Sequence, residues 1–197
     1  MKIKKYNEKY EKKVKKLDKK TRKLFDLLWI LKVTFLAFII SFSFSFITEI
    51  LVPNLNVIMG IFLLFIIIVL GVLFDMIGVS VTAASIKPFN SMASKKVRGS
   101  KTAIWLIQNA EKVSAFCNDV IGDVCGIISG SVGILISTLI SVELNISNSL
   151  ITLTLTALIA ALTIGGKALG KSYAINKSDV IVFKFAKFIS IFMKEEK

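Results

Sequence analysis

The chain has no histidine and only two cysteines, which removes most of the ligand chemistry behind zinc and haem sites. Cys117 and Cys125 stand eight positions apart in one apolar run. On a helix that separation is about 12 Å, too far for a disulfide, so both read as small buried residues. Without histidine no Ser-His or Cys-His triad can form, and neither a phosphate loop nor a nucleophile elbow is present; no enzyme is expected. Acidic residues are outnumbered, 13 against 26 Lys and Arg, for a net charge of +13. A basic soluble domain would suggest nucleic acid, but here the basic segments flank long uncharged runs, which excludes that reading. No internal repeat, low-complexity linker or independent soluble domain is evident.

What is present is apolar residue, 54% of the chain, above the roughly 45–50% of soluble domains. Residues 1–26 are a lysine-rich leader, too long for a signal-peptide n-region. The run that follows, 27–52, is long enough to cross a bilayer, with Lys32 able to snorkel to the interface; Pro53 and Asn54 break it. The second run, 57–84, exceeds the roughly 20 residues a crossing needs and must tilt or emerge; Pro88 is expected to stop it. Between 87 and 112, Lys87, Lys95, Lys96, Arg98, Lys101 and Lys112 alternate with apolar residues. That spacing predicts two short interfacial helices separated by Gly99-Ser100, with Trp105 at interface depth. Further runs at 113–142 and 150–166 make the third and fourth spans. Residues 178–193 read as a basic, aromatic belt helix on the membrane surface. The expected fold is an all-α polytopic membrane protein of four transmembrane helices plus cytoplasmic juxtamembrane amphipathic helices.

Loop charge sets the orientation. The loops 49–56 and 143–148 carry Glu49 and Glu143 and no Lys or Arg, whereas the leader, the 87–112 hairpin and the C-terminal segment carry every basic residue except Lys32. The positive-inside rule then places both termini in the cytoplasm, and the cell membrane is the expected location. A cytoplasmic face this basic also fits anionic lipid headgroups, at about 1 kcal/mol per Lys or Arg near the surface.

The candidate site comes from ionisable residues inside spans. A carboxylate there costs about 2.5–3.5 kcal/mol and usually faces a pathway or a partner. Asp75, Asp119 and Asp123 meet that description. Asp119 and Asp123 share a helical face, with Asn118 beside them. Asp75 and Asp123 lie about 13 Å and 15 Å from the basic ends of their helices at 1.5 Å per residue, so they reach similar depth and could face each other. Carboxylate, amide and backbone oxygens without nitrogen or sulfur donors suit a hard cation such as Mg²⁺. The alternative is structural: the acids share protons or are neutralised by Lys32 or Lys167. Gly122, Gly126 and Gly130 form a small-residue stripe suited to close helix packing or a dimer face. Gly165, Gly166 and Gly170 are expected to loosen the end of the fourth span.

Two longer stretches carry a resemblance. SMASKKVRGSKTAIWLIQNAEKVSAF is similar to the basic helical hairpin, and GGKALGKSYAINKSDVIVFKFAKFI to the post-span motif and belt helix, of the CorB/CorC and cyclin-M family of magnesium and cobalt transporters. Residues 57–192 resemble that family's transmembrane domain, with 27–52 as an extra span and no CBS pair. In place of the Glu and Pro of the family's Gly-Glu-x-x-Pro-Lys-type motif stand Lys167 and Gly170, while Lys171 matches. The resemblance implies a homodimer that moves a divalent cation, most readily Mg²⁺, past Asp75, Asn118, Asp119 and Asp123. A membrane adaptor that holds a partner or anionic lipid through its basic face is the alternative from a different class.

Overall fold

The computed structural model describes residues 28–52, 55–145 and 147–192. The expected leader at 1–26, the break at Pro53–Asn54 and the last belt residue, 193, lie outside them. The described residues are helical with no strand, and four helices are long and apolar enough to cross a bilayer. The chain is therefore an all-α, multi-pass membrane protein.

It divides into two units, 1–39 and 40–197. The described part of the first is the start of α1, Leu28–Leu51, with large apolar side chains such as Phe35 and Phe38 exposed. In the second, α2 spans Val57–Ala83, begun by the Asn56 side chain, which accepts a hydrogen bond from the Met59 amide at 3.0 Å, a standard N-cap. It ends where Ala84 turns extended, four residues before Pro88. Pro88 instead sits in the first turn of the next helix, α3 (Ile86–Ser94), where its missing N–H costs nothing.

Gly99, left-handed at φ +88°, separates α3 from α4 (Ser100–Gln108). Next comes α5 (Ala110–Ala115), then a π-helical segment, Phe116–Gly122, and α6 (Asp123–Leu144). These form one continuous 35-residue helical run, Ala110–Leu144. It ends on Asn145 at φ 53°, a residue type that tolerates the left-handed C-terminal position. The fourth crossing helix, α7, spans Asn148–Asn176. The helix that holds the expected fourth span, 150–166, continues ten residues past 166. No proline interrupts α7, and two of its three glycines are sites of close packing. A Cβ on Gly166 would lie 3.0 Å from Val72, and one on Gly170 2.8 Å from Met76. Lys167 and Lys171 consequently belong to the crossing helix and not to a loop. The belt helix α8 covers Ser178–Phe192.

The contacts fix the helix directions. Gly60 packs on Ile136, Gly71 on Cys125 and Gly78 on Asn118, so α2 runs antiparallel to the third crossing. Val72 meets Gly166, Met76 meets Gly170, and Ser80 Oγ donates to the Ala174 carbonyl at 3.3 Å; α2 and α7 are parallel. Two apolar clusters result. One gathers Leu64, Ile68, Val124, Ile128, Val132 and Ile136 toward the short-loop end. The other joins Val81 to Phe89, Ala103, Leu106, Val182 and Ala186, packing α3, α4 and α8 under the bundle's basic end. Polar ties reinforce the second: the Ser85 amide donates to Asp179 Oδ1 at 2.9 Å, and Arg98 Nη2 donates to the Ser190 carbonyl at 3.2 Å.

Candidate functional site

On α2, the stretch between the two clusters presents Gly71, Asp75 and Gly78, all buried. Their i, i+4, i+7 spacing makes one stripe, and its two glycines contact the third crossing at the π segment and just beyond it. A Cβ on Gly71 would lie 2.9 Å from Cys125 Cβ and 3.7 Å from the Gly122 carbonyl; one on Gly78 would overlap the Asn118 amide. The glycines thus let two backbones close around Asp75, and the antiparallel register puts Asp75 level with Ile121 and Gly122.

Asp75 is 4% exposed. Its Oδ2 accepts no hydrogen bond; charge balance comes from Lys171 Nζ at 3.9 Å, an ion-pair distance too long for a hydrogen bond. A second buried oxygen without a donor is Asn118 Oδ1, whose Nδ2 donates to Ser114 Oγ at 3.3 Å. Thr163 Oγ1, one and two turns before Lys167 and Lys171 on α7, is the third buried polar atom in this condition. Buried oxygens without partners are uncommon in native proteins and call for an explanation.

Asp123 behaves differently. Its side chain is 67% exposed, and its Oδ1 takes Lys167 Nζ at 3.5 Å; the same ammonium donates to the Gly122 carbonyl at 3.4 Å. Asp119, on the π segment, is exposed. The expected similarity of depth between Asp75 and Asp123 holds to within two residues of register. The two carboxylates are nonetheless held by different lysines, one inside the helix interface and one on its rim. Among the described residues no three His, Cys, Asp or Glu side chains converge at metal-holding distance. Any cation here would have to draw on one carboxylate with amide, carbonyl or water oxygens, a donor set Mg²⁺ accepts. The groove of about 220 Å³ lined by Phe65, Val69, Leu162 and Gly166 among others is apolar and stands apart from this chemistry.

Two features escape sequence reasoning. The π segment has no sequence signature, although such segments often mark functional positions. The Asp75–Lys171 pair joins residues far apart in sequence, and its one signal was the i, i+4 spacing of Lys167 and Lys171 on a stretch without a helix breaker. Compared with protein-family models, curated proteins and solved structures, the chain matches none.

Proposed function

We propose that the protein is a small cation transporter of the cell membrane, with Mg²⁺ the preferred ion and Asp75 at the centre of its path. The observation that carries this reading is a buried carboxylate oxygen without a hydrogen-bond donor, inside a crossing helix and level with a π segment. An acid in that setting is costly and is characteristically retained for ion or proton pathways. The neighbouring unpartnered oxygen of Asn118 extends the hard-donor set, and Asp119 and Asp123 supply attraction at the rim. The structural alternative accounts for Asp123, which Lys167 holds, and for the charge of Asp75, which Lys171 balances; it does not explain why Asp75 Oδ2 and Asn118 Oδ1 are buried without hydrogen-bond donors. The resemblance of residues 57–192 to the CorB/CorC and cyclin-M transmembrane domain supports the same reading, with both termini cytoplasmic.

A homodimer fits the exposed rim of α6: Gly126 and Gly130 have nothing within 4 Å of an added Cβ. A second copy there would shield Asp119 and Asp123 from lipid.

The test is Mg²⁺ flux into liposomes carrying the purified chain, beside Asp75→Asn and the Asp119→Asn/Asp123→Asn double variant. Flux that falls at least tenfold in both supports the path. Absence of flux in folded, inserted wild-type protein favours the adaptor reading, for which the specific observation is the basic α3–α4–α8 assembly with its own apolar core.

A further inference from the structure

We infer that Lys171 is a tethered competitor for the Asp75 carboxylate, so that cation entry and release of the Lys171 ammonium are a single event. This inference rests on the cation-transport reading and adds to it the source of ion selectivity.

Three observations carry it. The first is an asymmetry of burial: the Asp75 side chain is 6% exposed and that of Lys171 is 53% exposed. The carboxylate is fixed inside the helix interface, whereas the ammonium ends a flexible four-carbon stem with open space beside it. The second is how the pair is made. At 3.9 Å the ammonium balances charge without donating a hydrogen bond, and Oδ2 has no other donor; displacing Lys171 breaks no directional bond. The third is the contrast with the neighbouring lysine. Lys167 donates both to the Gly122 carbonyl and to Asp123, so it is anchored at two points. Only Lys171 is placed to leave, and it leaves behind the buried oxygens a hard cation needs: Asp75 Oδ2, with Asn118 Oδ1 in reserve on the π segment one turn along.

The tether sets a threshold. An ammonium confined beside its carboxylate acts at an effective concentration on the order of millimolar or above. A monovalent ion replacing it gains about the attraction that is lost, while a divalent ion that keeps most of its water shell, as Mg²⁺ does, gains up to twice that attraction to the same carboxylate without the full cost of dehydration. Lys171 therefore holds Asp75 against monovalent ions and yields to divalent ones.

The experiment reads Lys171 directly. The full chain in liposomes is treated with a membrane-permeant amine-acylating reagent, and Lys171 modification is quantified by mass spectrometry. Conditions are no added salt, MgCl₂, and NaCl at matched ionic strength, for wild type and Asp75→Asn. Mg²⁺ should raise Lys171 labelling at least threefold in wild type, NaCl should leave it within about 1.5-fold, and Asp75→Asn should label at the high rate in every condition. In parallel, Lys171→Met should make Mg²⁺ flux at least fivefold more sensitive to competing Na⁺. Mg²⁺ flux with no change in Lys171 labelling would overturn this inference and leave transport standing. Labelling that rises equally with Na⁺, or a Lys171→Met variant with unaltered Na⁺ competition, would overturn the selectivity role. Absent flux with Mg²⁺-dependent labelling would instead remove the transport reading and keep the exchange. Should Lys171→Met fail to fold, the labelling arms decide alone.

Discussion

The two halves of the Asp75–Lys171 pair should differ sharply in what their removal costs. Lys171→Met strands a carboxylate that is 4% exposed in the middle of a crossing helix. An unbalanced Asp at such a depth costs about 2.5–3.5 kcal/mol on the insertion scale, and breaking a buried pair from one side costs about 3–5 kcal/mol. A loss of about 3 kcal/mol is expected. Asp75→Asn strands only Lys171, whose side chain is already 53% exposed and can carry its charge to the interface along an apolar stem. Its cost should stay near 1 kcal/mol, because the stem lets the ammonium reach polar surroundings that the fixed carboxylate cannot. In the Asp75→Asn/Lys171→Met double variant no charge is left to strand, so its stability should lie close to that of Asp75→Asn alone. The implied coupling is about 3 kcal/mol in magnitude. Equilibrium unfolding in mixed detergent–SDS micelles, followed by tryptophan fluorescence, measures all four proteins. Equal losses for the two single variants, or strict additivity in the double, would refute the argument that Lys171 neutralises a fixed buried charge.

Other positions test the packing. Gly99→Ala places a Cβ 3.0 Å from Lys187 Cα at a residue with φ +88°; left-handed strain alone costs about 1–2 kcal/mol, and hydrogen exchange in α8 should accelerate at least tenfold. Gly71→Ala, with Cys125 Cβ 2.9 Å away, should cost about 1–3 kcal/mol by overpacking and lower the thermal midpoint in detergent. Gly126→Ala, open within the protomer, should leave monomer stability intact or raised by up to about 1 kcal/mol while reducing crosslinking between copies. Ser137→Ala removes an Oγ that shares a 2.7 Å hydrogen bond with Thr152 and donates at 2.7 Å to the Ile134 carbonyl; a loss of about 0.6–1.7 kcal/mol by SDS titration is expected.

The four crossings were legible because apolar length is a one-dimensional property. The break between α3 and α4 was legible because Gly99-Ser100 interrupts two short amphipathic patterns, and the structure places Gly99 in the left-handed region there. The limits come from pairing. Glycines at 165, 166 and 170 look like a loosened helix end until α2 is known to lie against two of them. Counting Lys167 and Lys171 as loop charges, which the positive-inside argument invites, hid that both sit on the crossing helix opposite acids. Depth arithmetic brought Asp75 and Asp123 to one level, but it carries no information about azimuth, so it could not separate the buried acid from the exposed one. The orphaned oxygens of Asn118 and Thr163 are likewise three-dimensional facts.

The π segment from Phe116 to Gly122 has a genetic corollary. A π turn holds one residue more than the α-helical ladder requires, so deleting a single codon within it would convert the stretch to plain α-helix without breaking the crossing. The α-helical faces on either side would keep their phase, so Asn118 could stay seated on Gly78 while Cys125 and Ile136 kept their places against α2. What the deletion would remove is the wide turn itself, level with Asp75. A single-residue deletion elsewhere in 110–144 instead rotates one side by about 100° relative to the other. Reading-frame-preserving single-residue deletions should therefore disturb packing least within Phe116–Gly122 and most in the α-helical stretches that flank it.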